Sequence, residues 1–185
     1  MELKHKLLDH PFYQAWNEGE ITADQLAKYH ESYKEFIEKV PDYWQKIIDG
    51  FGEDSTFAKS VVEDERSHIP LWNEWESRLP ETDGHPDMKD VIEALDSMTN
   101  SELLGAIHAF EIQQPEVAKT KKEGLLKHYN FTEEEMTYFD EHQNEEPHIR
   151  FGKRLAERFA NQTEFQRGFD KGAEIFYNAL DKYIN

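Results

Sequence analysis

Apolar residues recur along most of the chain at i, i+3 and i+4, and Gly and Pro fall between the segments so patterned. No stretch alternates apolar and polar residues between turn residues as a half-buried strand would. The pattern predicts an all-α protein. A capping box at Thr22-Ala-Asp-Gln25 opens a helix with Leu26, Tyr29, Tyr33, Phe36 and Ile37 on its apolar face; Pro41 kinks or ends it, and Gly50 closes the segment. The next helix starts near Asp54 or Ser55 and passes through Val61, Val62, His68, Leu71 and Trp72 to Leu79. Residues 80–86 read as loop, and Val91, Ile92 and Leu95 mark a short helix. Asn100 or Ser101 caps a long one through Leu103, Leu104, Ile107, Phe110 and Val117. A second capping box, Thr132-Glu-Glu-Glu135, opens a helix carrying Tyr138, Phe139, His142 and His148, and the last helix holds Phe165, Phe169, Ile175, Phe176, Leu180 and Tyr183. Six or seven helices with short connections and no repeat predict one compact bundle of about seven helices over residues 1–185.

The length of 185 residues suits one domain, large enough to bury roughly 70% of its unfolded surface. With 39 acidic and 21 basic residues the formal charge is −18, which repels phosphate backbones and anionic lipid. Nucleic acid and membrane are therefore not expected partners. No cysteine occurs, so any metal must be held by nitrogen and oxygen. The first residues, Met1-Glu-Leu-Lys-His-Lys, lack the apolar core of a signal peptide, and no run approaches the roughly 20 apolar residues of a membrane span. A cytoplasmic protein is expected.

Glu65 and His68 stand three apart on one predicted helix, so they share a face and can grip one ion. In so acidic a chain such a pair also arises by chance, and its company decides its meaning. Glu111 sits among Ile107, Phe110 and Ile112 on a helix expected to be buried, where an unpaired charge costs several kcal/mol. His142-Gln-Asn-Glu145-Glu146-Pro-His148 adds two imidazoles and a carboxylate. Carboxylates and imidazoles from separate bundle helices are how di-iron and di-manganese sites are built. His10, His30, His108 and His128 lack such company and read as core or surface histidines.

Several segments resemble the CADD branch of the TenA, PqqC and heme-oxygenase-like superfamily: His10-Pro-Phe-Tyr-Gln-Ala-Trp-Asn-Glu-Gly-Glu with Gln25-Leu-Ala-Lys-Tyr, then His68-Ile-Pro-Leu-Trp, Phe110-Glu-Ile-Gln-Gln-Pro-Glu-Val-Ala-Lys-Thr-Lys-Lys-Glu-Gly-Leu, and Tyr138-Phe-Asp-Glu-His. They run in family order over about residues 10 to 155. The resemblance implies a heme-oxygenase-like helical bundle with a di-iron or iron/manganese centre that uses dioxygen as co-substrate. It assigns as metal ligands Glu65, His68, Glu111, His142, Glu145 and His148. The family's late ligand group reads His-x-x-x-Asp-x-x-His, whereas this chain is one residue shorter with Glu as the acid. Counting back from His148 selects Glu145, and counting forward from His142 selects Glu146. Pro147 is expected to kink the helix there. In the CADD branch six residues separate the first Glu and His; that position here is Val61, which leaves Glu63 or Glu65, and the Glu-x-x-His spacing of other di-iron members favours Glu65.

The same resemblance implies an oxidoreductase in which the protein gives up its own tyrosine and lysine as precursors of para-aminobenzoate for folate synthesis. Their counterparts are Tyr13 and Lys121, with Tyr138 matching a third family residue and Phe110 standing where the CADD branch has tyrosine. A homodimer is common in resembling families. Two other readings stay open: a di-iron oxidase acting on an external amino acid or fatty acid, and a non-catalytic helical interaction protein. A thiaminase is disfavoured, since its usual nucleophile is cysteine; a cofactorless PqqC-like oxidase remains compatible with an apolar cavity ringed by His and Tyr.

Overall fold

A computed structural model describes residues 2–184; Met1 and Asn185, the ends of the expected domain, lie outside the described residues. The chain is all-helical, in the order α1 (Pro11–Glu18), α2 (Ala23–Ile37), α3 (Val40–Phe51), α4 (Thr56–Trp72), α5 (Lys89–Asp96), α6 (Asn100–Glu111), α7 (Gln114–His128), α8 (Thr137–His142), α9 (Glu146–Phe159) and α10 (Gln162–Ala179). Short 3₁₀ turns occupy Leu7–Asp9, Asn73–Arg78, Glu133–Glu135 and Leu180–Tyr183.

The starts follow local chemistry. The Thr22 hydroxyl accepts from the Gln25 N–H at 3.2 Å while the Gln25 side chain accepts from the Thr22 N–H at 2.9 Å, the reciprocal capping expected. Ser55 caps α4. The cap of α6 is Thr99, ahead of both expected caps, Asn100 and Ser101, and it forms a capping box with Glu102.

The expected count of about seven helices is too low, because three of them are each two: ten α-helices occur among the described residues. Every extra break carries a proline in the first turn of the following helix, Pro41 in α3, Pro115 in α7 and Pro147 in α9. Proline has no N–H to donate to the preceding turn and its ring crowds that turn's carbonyl, but at a helix start neither matters. The Thr132 capping box forms too, yet opens only a 3₁₀ turn before α8.

Helix α6 is the axis of the bundle, with every residue from Leu103 to Glu111 buried. It lies directly on α10: a Cβ added to Gly105 would fall 2.1 Å from the Phe165 carbonyl oxygen, and one added to Gly168 would fall 2.0 Å from that of Glu102. Only glycine permits this backbone approach, which fixes Glu111 at the end of α6. Trp16, Trp44, Trp72 and Trp75 are fully buried around the axis, and Phe57 is the one exposed large apolar residue among those described. No described helix is long and apolar enough to cross a membrane.

Candidate metal centre

The helix breaks deliver the site. Glu65 and His68 lie one turn apart on α4, Glu111 is the last residue of α6, and His142 is the last of α8. Glu145 precedes α9 in a bent conformation (φ −67°, ψ 1°), and His148 follows in its first turn. All six side chains are buried, and they converge. Ligand atoms of Glu65, His68 and His142 lie within 4.8 Å of one another, as do those of Glu65, Glu111, Glu145 and His148. Glu65 belongs to both groups, the position a bridging carboxylate would take between two ions.

The alternatives left open by spacing separate on geometry. The Glu63 and Glu146 side chains are each 76% exposed and pair with Arg66 and Arg150, whereas Glu65 and Glu145 point inward. Instead of one helix kinked at Pro147, α8 and α9 are separate, and the non-helical turn between them swings Glu145 inward across the shortened spacing.

The contacts within the cluster are those of ligands aimed at common points. His148 Nδ1 lies 2.9 Å from Glu145 Oε2 and 3.1 Å from Glu65 Oε1, and neither His148 Nδ1 nor Glu145 Oε2 makes a hydrogen bond. His68 Nδ1 likewise has no hydrogen-bond partner. Buried polar atoms without a hydrogen bond are costly, and three at one place fit a site for a cation. The outer contacts orient the rings. His142 Nδ1–H donates to the Tyr138 carbonyl at 2.7 Å, which leaves Nε2 facing the cluster, 3.6 Å from Glu145 Oε1. His148 Nε2 faces Asp64 at 3.7 Å, and Trp44 Nε1–H donates to Glu111 Oε1 at 3.4 Å.

Electrostatics point the same way. Burial raises the Glu65 carboxyl, but His148 and His68 outweigh it and hold it at about 2. Burial, then the charges of Glu145 and Glu65, push Glu111 well above the usual carboxylate range. Burial lowers His148, but Glu145 and Glu65 overcome it and drive it up to about 11. Protons on His148 and Glu111 thus balance the buried negative charge, and divalent cations would displace them. Nitrogen and oxygen donors of this mix suit iron, manganese or zinc.

Tyr138 stacks on His142, ring centres 3.9 Å apart, and meets the edge of Trp72 at 4.8 Å. Tyr13 and Lys121 lie apart from the ligands. The Lys121 ammonium sits 4.6 Å from the centre of the Tyr33 ring, 5.3 Å from Tyr29 and 5.7 Å from Trp72, and burial alone lowers it to about 7. The His10 ring, capping α1 through the Phe12 N–H at 3.1 Å, holds the helix turn that carries Tyr13. Tyr13 lines a cavity of about 10 Å³ with Tyr29, Tyr33, Phe110 and Tyr183. A second, of about the same size, is lined by Glu65, His68, Glu111, Tyr138 and His142, and Phe110 borders both. Each has room for roughly one water. On the outside, His68, Glu145 and His148 line an open depression of about 400 Å³.

Trp44, Tyr33 and Trp72 were not expected at the site. Trp72, one turn after His68 on the same face, carried a signal in its spacing; Trp44 and Tyr33 reach the site only through tertiary packing.

No family model matches the chain. A search of curated proteins finds 4-aminobenzoate synthases: one from Nitrosomonas europaea is 28% identical, with 97% of this chain and 84% of the relative covered. Those of Chlamydia muridarum and Chlamydia trachomatis are 27% and 28% identical, with 98% of this chain and 85% and 87% of theirs covered. Among solved structures, a TenA homolog from Pseudomonas syringae superposes with a TM-score of 0.77 at 15% identity, covering 96% of this chain and 86% of the other. The chain therefore has the helical fold of the TenA homolog, and it resembles the 4-aminobenzoate synthases over nearly its whole length. Within that fold this chain gathers buried Glu and His side chains able to bind metal.

Proposed function

We propose that this protein is a CADD-like, di-iron 4-aminobenzoate synthase that draws the product from its own Tyr13 and Lys121. The observation that carries this reading is the size of the interior: cavities of about 10 Å³ border the ligands and Tyr13, too small for an external aromatic substrate, while a complete aromatic ring is already built into the wall. The names of the relatives support the same chemistry.

Two iron ions, or iron with manganese, held by Glu65, His68, Glu111, His142, Glu145 and His148, would supply the activation of dioxygen. The chain supplies the rest. The Trp44 and Tyr138 contacts hold Glu111 and His142 in place, and the apolar layer of Phe36, Val40 and Phe110 excludes water. Burial keeps the Tyr13 hydroxyl protonated, well above its usual range, so the ring stays neutral. Burial also leaves a large share of Lys121 as the free amine near neutral pH, the form that can serve as a nitrogen donor.

The test is to reduce iron-loaded protein, expose it to air without added substrate, and quantify product and intact mass. At most about one equivalent of 4-aminobenzoate per chain is expected, since a sacrificed side chain cannot turn over, with matching mass loss at Tyr13. A second reading, an oxidase of an external small molecule, is favoured by the open depression over His68, Glu145 and His148. Product beyond one equivalent, or release that persists in Tyr13→Phe, would select it.

A further inference from the structure

Trp72, whose edge meets Tyr138, also stacks on His30, with ring centres 5.3 Å apart and planes 9° from parallel. His30 is fully buried, and its Nε2 lies 3.2 Å from the Trp72 carbonyl oxygen. A carbonyl oxygen only accepts, so Nε2 carries the ring hydrogen. In the neutral ring Nδ1 then presents a lone pair, and it faces Glu31 Oε1 at 3.3 Å, with a Glu76 carboxylate oxygen in the same 4.8 Å group. Three acceptor groups within 4.8 Å of one another can share a cation, either a proton on Nδ1 or a metal ion.

The orientation is that of a ligand. Metal-binding histidines are typically held by a backbone carbonyl on the nitrogen that does not bind, as the Trp72 carbonyl holds Nε2 here, and the Trp72 Nε1–H returns a bond to the His30 carbonyl at 3.1 Å. Glu31 and Glu76 also line an open surface pocket of about 420 Å³ together with Glu81 and His85, so an ion and its waters can enter. We propose that His30 Nδ1, Glu31 and Glu76 form a second metal site, for a divalent transition cation such as zinc or manganese. It shares no residue with the Glu65 cluster. One imidazole and two carboxylates suit such ions, with water completing the shell. The bound ion would tie the Asn73–Arg78 turn to α2 and so fix Trp72, which packs against both Lys121 and Tyr138.

The test uses full-length, metal-free protein loaded with Zn²⁺, with metal counted after desalting and histidine ring nitrogens followed by NMR. Glu76 is exposed, so Glu76→Gln should leave the fold intact. That variant is expected to retain about one equivalent of zinc fewer than the unsubstituted protein, through an affinity loss of at least about ten-fold. Zinc should move the His30 Nδ1 resonance in the unsubstituted protein and not in the variant, while Glu111→Gln, which reports on the central cluster, should leave the His30 response unchanged. Equal zinc content with and without Glu76→Gln, or a His30 ring protonated on both nitrogens near neutral pH in the presence of zinc, would overturn the proposal.

Discussion

Two buried polar regions of this protein sit a few side chains apart and have opposite characters. Around Glu65 six ionisable groups crowd together, and several of their atoms bond to nothing. Around Lys121 a single amine sits among the faces of Tyr29, Tyr33 and Trp72. The first region concentrates charge that only a cation can reconcile; the second discourages charge, and keeps a phenol and an amine close to neutral. A metal-dependent oxidation of the protein's own side chains needs both environments, with Phe110 as the wall between them.

Glu65 is the residue on which the metal region depends most. Because its carboxylate belongs to both ligand groups, Glu65→Ala should abolish binding of both ions and all product, whereas His142→Ala should spare the site of Glu111, Glu145 and His148. Metal analysis of the two variants checks this; equal losses would show that Glu65 does not bridge. Tyr13→Phe should next separate the regions, abolishing 4-aminobenzoate while leaving metal content within error of the unsubstituted protein.

Lys121→Met tests the second region through stability. The folded-state pKa of about 7 lies below the ordinary 10.5, so between these values the unfolded chain binds more protons than the folded one, and this group makes stability rise with pH. Below about 7 both states are protonated and the penalty of burying the charge is complete. Lys121→Met should therefore raise stability at pH 6 by on the order of a few kcal/mol, and flatten the rise between pH 7 and 10.5. Chemical denaturation across that range measures it; an unchanged slope would mean Lys121 is charged and solvated. The smallest effect belongs to the outward acids. Glu146→Ala should leave metal content unchanged and shift stability by no more than about 0.5 kcal/mol, whereas Glu145→Ala should lower metal occupancy.

Capping chemistry made the helix starts legible, since Thr22 and Ser55 act on their own neighbours. The helix ends at Pro41, Pro115 and Pro147 were less so, because proline is compatible with both a kink and a fresh start, and packing chooses. The same ambiguity hid the inward acid. Glu145 and Glu146 differ by one residue, and which of them faces the interior depends on a turn of backbone between α8 and α9 that spacing alone does not define. The ligand types were visible in the sequence because buried carboxylates and imidazoles at helical spacing are rare together. The Tyr33 and Trp44 surroundings were not, as they come from α2 and α3, which meet α4 and α6 only when the bundle closes.

The burial of Tyr13 also bears on how long each molecule lasts. Only 2% of the residue is exposed, and its ring packs on Phe12 and Trp16 in the first helix. A chain that has surrendered this ring keeps a hole in its aromatic centre, and losing a large aromatic side chain from a core costs roughly 3–5 kcal/mol out of a total stability of about 5–15. The used molecule would then open far more often than the fresh one and become the preferred prey of proteases. Synthesis of the product would thereby be metered by synthesis of the protein, with each spent copy cleared because its own reaction has hollowed it out.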